Sequence, residues 1–169
     1  MTDVKKFPIP GPEQEDIEEA LNLIWHRFER SMRSKKVIKD ELNQVVNTGI
    51  FDVLLNKGYM VEQGTELVLT PSGDELARDS IRRNRLAERL LADVLNLDMK
   101  SLDANVCQME HVISREVSES ICTLLGHPTQ CPHGSSIPSG DCCRRTQRHV
   151  EPIVESVDKL TAGENGVVV

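Results

Sequence analysis

The sequence predicts a mainly α-helical protein: an N-terminal winged helix-turn-helix followed by an α-helical domain. Three observations predict it. Three short helical runs precede a β-prone pair of segments, two long amphipathic runs follow, and a turn-rich stretch separates them from the C-terminal end. The 169 residues are 38% hydrophobic and 28% charged, a globular composition with a core of moderate size.

Residues 1–12 carry three prolines and a glycine without periodicity and read as a flexible tail. From Glu13 the pattern turns helical, with Ile17, Leu21, Ile24, Trp25 and Phe28 at three- and four-residue spacing. Val37–Val45 reads as a short helix. Asn47-Thr48-Gly49 is a break or a capped start, and Ile50, Phe51, Val53, Leu54 and Leu55 form a third short helix stopped by Gly58. Tyr59–Leu69 reads as a hairpin turning around Gln63-Gly64. Thr70-Pro71-Ser72-Gly73-Asp74-Glu75 is a helix start, with proline in the first turn and acids after it. Three short helices followed by a hairpin is the order of a winged helix-turn-helix, which places one helix in the DNA major groove.

A long helix is expected from about Ser72 to Val94. Leu76, Ile81, Leu86, Leu90 and Leu91 lie on its apolar side, and Arg78, Arg82, Arg83, Arg85 and Arg89 on its outer side. A second is expected from about Asp103 to Leu125, with Val106, Met109, Ile113, Val117, Ile121 and Leu124 in helical register. This is more apolar stripe than a 60-residue partner needs, so the two helices imply a homodimer. Gly126–Ser139 reads as an ordered loop, Thr146–Glu155 as a short helix, and Val157–Val169 as a strand with nothing left to pair against.

Net charge is −7, which excludes a uniformly basic nucleic-acid coat but not a local patch. Arg27, Arg30, Arg33, Lys35, Lys36 and Lys39 form the densest basic stretch, opposed within it only by Glu29, and suit phosphate contact. No apolar run approaches the ~18 residues that span a bilayer, so no membrane partner is expected. The start MTDVKKFPIPGPEQED has no apolar signal core, so a cytoplasmic location is the default.

Cys107-Gln108-Met109-Glu110-His111 is the most chemical segment. Residues 107, 110 and 111 stand at i, i+3 and i+4, so a thiolate, a carboxylate and an imidazole share one helix face. That donor mixture suits a borderline divalent transition metal rather than magnesium or calcium. Further ligands must come from elsewhere, with Glu88, Glu18 and Glu19 as candidates. A catalytic Cys107–His111 pair ranks low, because no Gly-rich oxyanion loop abuts it; no enzyme is expected. His127, Cys131, His133, Cys142 and Cys143 form a second cluster, able to offer soft ligands to zinc or to an iron–sulfur cluster. The bland reading is a structural turn with Cys131 packed and the Cys142-Cys143 pair exposed, since adjacent cysteines rarely ligate one tetrahedral zinc without strain. Cys122, on the apolar side of its helix, reads as a core residue.

Four stretches resemble the diphtheria-toxin-repressor family of metal-dependent transcriptional regulators. They are Leu69-Thr70-Pro71-Ser72-Gly73, Asn84–Leu91 (NRLAERLL), Cys107–Ser114 (CQMEHVIS), and Gly126–Gly134 (GHPTQCPHG) with Ile137-Pro138. The resemblance implies a winged helix at 13–73 and a helical metal-binding and dimerisation domain at 74–145. It also implies a 146–169 extension resembling the start of a small β-barrel of the ferrous-iron-transport A type. It implies a homodimeric repressor of metal-homeostasis genes that binds a double-stranded DNA operator with Fe2+, or alternatively Mn2+, as corepressor. Cys107, Glu110 and His111 map onto metal ligands of the iron-sensing branch, and Glu19 onto the first-helix ligand. An ancillary site maps to Asn84, Glu88 and Asp103, with Asn84 in place of the usual histidine. DNA contacts are expected from Arg33, Lys35, Lys36, Lys39, Asn47 and Thr48. The reading stretch Asn47–Lys57 is short and mostly apolar for the family. The alternative is therefore a metal- or redox-sensing dimer with lost or altered DNA recognition, using the Cys-rich loop for a second metal or iron–sulfur site.

Overall fold

The computed structural model describes residues 12–144, apart from the side chains of residues 12, 99–101, 103, 104 and 108. Residues 1–11 of the tail expected at 1–12, the helix at Thr146–Glu155 and the strand at Val157–Val169 lie outside the described residues, and Pro12 opens a helix instead of ending the tail.

Helix α1 (Pro12–Glu29) starts one residue before the periodicity does, on a proline, which costs no hydrogen bond in a first turn. Helices α2 (Lys35–Val45) and α3 (Ile50–Asn56) are separated by Gly49, whose φ of 111° is open to glycine at little cost. Strands β1 (Met60–Gln63) and β2 (Glu66–Leu69) pair antiparallel, with Met60 opposite Leu69 and Gln63 opposite Glu66. The chain before α2 extends this wing: Leu67 N–H donates to Arg33 O and Lys35 N–H to Thr65 O, both at 2.9 Å. The product is the expected winged helix-turn-helix.

Thr70 caps α4 (Pro71–Arg89). Its hydroxyl accepts from Gly73 N–H at 3.2 Å and donates to Gly58 O at 2.6 Å, so one side chain ties wing to helix. Gly73 is required by proximity: a Cβ there would stand 1.8 Å from Tyr59 O. After α4 the backbone runs on as a π-helical segment, Leu90–Val94, then α5 (Met99–Glu110) and α6 (Arg115–Leu124). α4 is the central helix and packs against α1, α5 and α6.

Two expectations about the long helices are corrected. The single helix expected over Asp103–Leu125 is broken at His111–Ser114. Ser114 caps α6 by accepting from Val117 N–H at 3.3 Å, a local signal that outweighs unbroken apolar spacing. Val117 and Leu124, expected on its apolar stripe, are exposed, Leu124 by 70%. The second correction concerns the outer face of α4, where Arg82, Arg83 and Arg85 are buried. Acceptors on α1 and on the loop after α6 surround them. Arg82 donates to Pro138 O (2.6 Å), Arg83 pairs with Glu18 (3.1 Å), and Arg85 holds both oxygens of Glu29 (2.8 and 2.6 Å) and bonds Ser136 O. A buried guanidinium needs such partners.

The expected ordered loop after α6 is stitched by its own backbone. Ile137 N–H donates to Thr129 O and Cys131 N–H to Ser135 O, both at 2.9 Å. A helical turn follows at 141–144. Among the described residues, no helix is long and apolar enough to cross a membrane.

Candidate metal centre between the first and fifth helices

Packing of α1 and α5 against α4 places Glu19 on one side of a cleft and Cys107, Glu110 and His111 on the other. Donor atoms of Glu19, Cys107 and His111 lie within 4.8 Å of one another. The Cys107 thiol is 3.7 Å from Glu19 Oε2, and His111 Nε2 is 3.6 Å from Glu110 Oε1. Asn22, His26, Arg27, Arg30 and Asn84 also line the cleft.

Glu18, one residue before Glu19, points elsewhere and orients the imidazole: its Oε2 accepts from His111 Nδ1 at 3.1 Å while Oε1 pairs with Arg83. This leaves Nε2 facing the cleft, the arrangement by which a carboxylate fixes the tautomer of a metal-binding histidine. Arg83 also donates to Glu110 O at 2.9 Å, so one guanidinium fastens α1 to the end of α5. Sequence spacing singled out Glu18 only as one candidate ligand and missed Asn22 and Arg83. Their partners are 27 to 93 positions away, beyond any local pattern.

Burial disfavours the ionised form of two donors at the site. Burial drives the Glu110 carboxyl up to about 7, against the Asn84 amide and the His111 charge, which lower it. Burial raises the Cys107 thiol as well, reinforced by the charges of Glu19 and Glu110. His111 is raised, chiefly by its bond to Glu18. Burial raises Glu18 too, but His111, Arg83 and Gln14 outweigh it and hold the carboxyl low. Two buried oxygens here, Glu110 Oε2 and Asn22 Oδ1, have no hydrogen-bond partner among the described residues, although a buried polar atom normally finds one. Thiol, imidazole, carboxylates and two unpartnered oxygens around one cleft fit a divalent transition metal.

Two of the three residues expected at the ancillary site can be placed. Asn84 lies at the main cleft beside Glu110. Glu88 stands 3.3 Å from His133 Nδ1 and close to Cys131, and the Asp103 side chain lies outside the described residues. The loop cluster separates in two. Cys131 and His133 join Glu88, while His127, Cys142 and Cys143 join Cys122. The bland reading is corrected in part: Cys131 is packed as expected, but Cys142 is buried and Cys143 half-buried.

The basic stretch is less positive than its sequence. Arg27 pairs with Glu41, Lys35 with Glu62 (2.9 Å) and Lys39 with Asp52 (3.7 Å). Arg33 lies over the Phe28 ring at 4.3 Å, and Lys36 and Thr48 are exposed. The Asn47 amide donates to Asp16 of α1.

Fold and cleft together define a class: a winged helix-turn-helix joined to a helical body able to hold a divalent metal. Residues 70–139 match the family model described as the iron-dependent repressor metal-binding and dimerisation domain. Over these residues the chain is similar to this family, that of the diphtheria toxin repressor. It is 33% identical over 110 residues to the iron-dependent repressor IdeR of Mycobacterium leprae (65% of this chain, 44% of the relative). It is 38% identical over 82 residues to the diphtheria toxin repressor of Corynebacterium diphtheriae (48% and 36%). Among solved structures it resembles that of the manganese regulator SloR, with a TM-score of 0.63, 27% identity, and 73% of this chain matched to 59% of that one. The chain thus spans less than half the length of the curated relatives it matches.

Proposed function

We propose that the protein is a cytoplasmic, homodimeric transcriptional repressor, not an enzyme, whose DNA binding depends on a divalent metal, with Fe2+ preferred over Mn2+. The observation that carries this reading is the pair of unpartnered buried oxygens, Glu110 Oε2 and Asn22 Oδ1, in a cleft shared by α1 and α5. The names of the relatives, repressors dependent on iron or regulators of manganese, support the class. The thiol of Cys107 supports iron within it, because sulfur is a poor partner for manganese.

Glu19, Cys107, Glu110 and His111 are the ligands in this reading, with Glu18 orienting His111. Bound there, a divalent ion favours the ionised thiolate and carboxylate over their protonated forms and ties α1 to α5. α1 packs on α2 and α3, so its position sets that of the reading head. The proposed domains are the winged helix at 13–73, the body at 74–145 and the extension at 146–169. Arg33, Lys35, Lys36, Lys39 and Thr48 contact DNA phosphates, with Asn47 released from Asp16 when it does so. Val112, Val117 and Leu124, apolar and exposed, belong to the dimer face. Glu88, Cys131 and His133 form a second metal position.

The test is anaerobic calorimetry with Fe2+, paired with fluorescence anisotropy on operator DNA selected from random sequence. Glu110→Gln and His111→Ala abolish both iron binding and iron-dependent DNA binding. Unchanged iron affinity in both variants removes the metal site. Intact iron binding with no DNA bound under any condition removes the repressor reading and leaves the sensing dimer.

A further inference from the structure

Away from the helix cleft, three thiols and an imidazole converge beneath the end of α6. The convergence has a local cause. α6 ends in a Schellman motif: His127 N–H donates to Cys122 O (2.8 Å) and Gly126 N–H to Thr123 O (3.0 Å), with Gly126 left-handed at φ 70°. That closure folds His127 back over Cys122, with Nδ1 3.5 Å from Sγ. The turn at 141–144 then brings Cys142 and Cys143 to the same place. Cys143 Sγ is 3.6 Å from Cys122 Sγ and 3.9 Å from Cys142 Sγ. One donor atom from each of the four residues lies within 4.8 Å of the others.

We propose that Cys122, His127, Cys142 and Cys143 form a closed, tetrahedral Cys3His site for a single zinc-class divalent ion, separate from the metal centre on α1 and α5. Zn–S bonds of about 2.3 Å and Zn–N bonds of about 2.0–2.1 Å at tetrahedral angles give edges of about 3.8 Å between sulfurs and about 3.6 Å between sulfur and nitrogen. The three observed separations, 3.6, 3.9 and 3.5 Å, match those edges. Donors this close share one ion and leave no room for the bridging sulfides of an iron–sulfur cluster. The difficulty with adjacent cysteines does not arise, because the helical turn at 141–144 directs both Cys142 and Cys143 toward Cys122.

The surroundings supply what such a site needs. Three thiolates and a neutral imidazole around a divalent ion leave one negative charge. The buried Arg82 guanidinium lies 3.2 Å from Cys142 Sγ and 3.9 Å from Cys143 Sγ, held in place by Pro138 O. Gly140 makes room for it, since a Cβ there would stand 2.7–2.8 Å from that guanidinium. With four protein donors the site has no open position, so it clips the end of α6, the following loop and the turn at 141–144 together instead of sensing free metal.

The test is Co2+ titration of the full chain under anaerobic conditions. Three thiolates in a tetrahedral field give intense visible bands and sulfur-to-cobalt charge transfer. Cys107 and Cys131 each offer a single thiolate among oxygen and nitrogen donors. The expected result is intense bands that saturate at one equivalent, persist in the Cys107→Ser, Cys131→Ser chain, and vanish on adding Zn2+. Cys143→Ser and, independently, His127→Gln abolish or shift the bands, and Arg82→Gln weakens affinity about 10–100-fold. Should the variants fail to fold, alkylation mapping of the parent chain decides the question: zinc protects Cys122, Cys142 and Cys143 together. Absence of intense bands in the parent, bands lost with Cys107 instead of Cys143, or no zinc protection of these three thiols overturns the proposal. So does a Cys122–Cys143 disulfide that forms in the presence of equimolar zinc.

Discussion

The cluster that joins α1–α3, the hairpin and the start of α4 packs apolar side chains, among them Ile24, Leu42, Phe51, Leu54 and Leu67, with buried Glu18 and Asn22 only on the α1 face toward α5. The cluster under α4–α6 includes three thiols, and buried Arg82, Arg83, Arg85, Glu110 and His111 border it. The first region is held by burial, which is non-directional and tolerates small shifts. The second is held by charged groups that require partners in fixed positions, because an unpartnered buried charge is costly. A region whose buried donors are already aimed at one another is where a bound ion can change the balance. A purely apolar region gives an ion nothing to act on.

The sharpest way to break this comparison is Arg83→Leu. It leaves the buried Glu18 carboxylate with His111 as its one cation, beside the Gln14 amide, and frees Glu110 O. Removing one partner of a buried pair costs about 3–5 kcal/mol, read by urea denaturation. Glu18→Gln in the same chain recovers part of that loss, since the carboxylate no longer needs a cation. A loss below about 1 kcal/mol for Arg83→Leu means that charge does not hold the body together.

Leu42→Ala is the counterpart in the head. Leu42 is fully buried on α2, and its truncation costs about 3 kcal/mol through lost transfer and a residual cavity. It is expected to leave affinity for metal at the α1–α5 cleft within about twofold when measured under conditions where the variant is folded. A large change in metal affinity would show that the two regions are not separable in this way.

The same contrast explains what could be read from the sequence. Head elements were legible because each carries its own signal: Ile17, Leu21 and Ile24 in helical register, Gly49 and Gly58 as breaks, Thr70-Pro71 as a start. The trio of Cys107, Glu110 and His111 was legible for the same reason, as donors one helical turn apart. What remained hidden depends on distant partners. Arg82, Arg83 and Arg85 look solvent-facing until Pro138, Glu18, Glu110 and Glu29 are brought against them. Cys122 reads as core until the Schellman turn returns His127 to it. The break between α5 and α6 was legible in principle, because Ser114 stands three residues before the N–H that it caps. An unbroken apolar register concealed it.

Ser114→Ala tests that last point. Loss of an N-cap side chain costs about 1 kcal/mol, and here the cap also fixes where α5 ends, next to Glu110 and His111. Thermal unfolding is expected to report the stability loss. An unchanged midpoint would mean that packing alone positions the break.

The smallest expected effect concerns the ion pair that crosses from head to body, Glu29 of α1 with Arg85 of α4. The bonds from Arg85 hold the Glu29 carboxyl below its ordinary value of 4.5. Partial burial opposes them, and the Trp25 N–H, donating at 2.9 Å, assists. A carboxyl whose folded value is depressed binds protons more weakly in the native state than in the unfolded chain. The unfolded state therefore takes up protons first as the pH falls, and the contribution to stability drops with it. The pair's stabilisation is fully present above the unfolded value of about 4.5 and is lost as the pH falls through the lower folded value. Glu29 is 35% exposed at its side chain, so solvent screens the pair and the effect stays below about 1 kcal/mol. Other carboxylates titrate over the same range. The measurement is therefore the difference between the parent chain and Glu29→Gln, by urea denaturation at about pH 6.5 and again at about pH 3. The difference is expected at the higher pH and to shrink at the lower. A gap that is constant with pH would mean that Glu29 acts by packing and not by charge, and that the head meets the body on the head's terms.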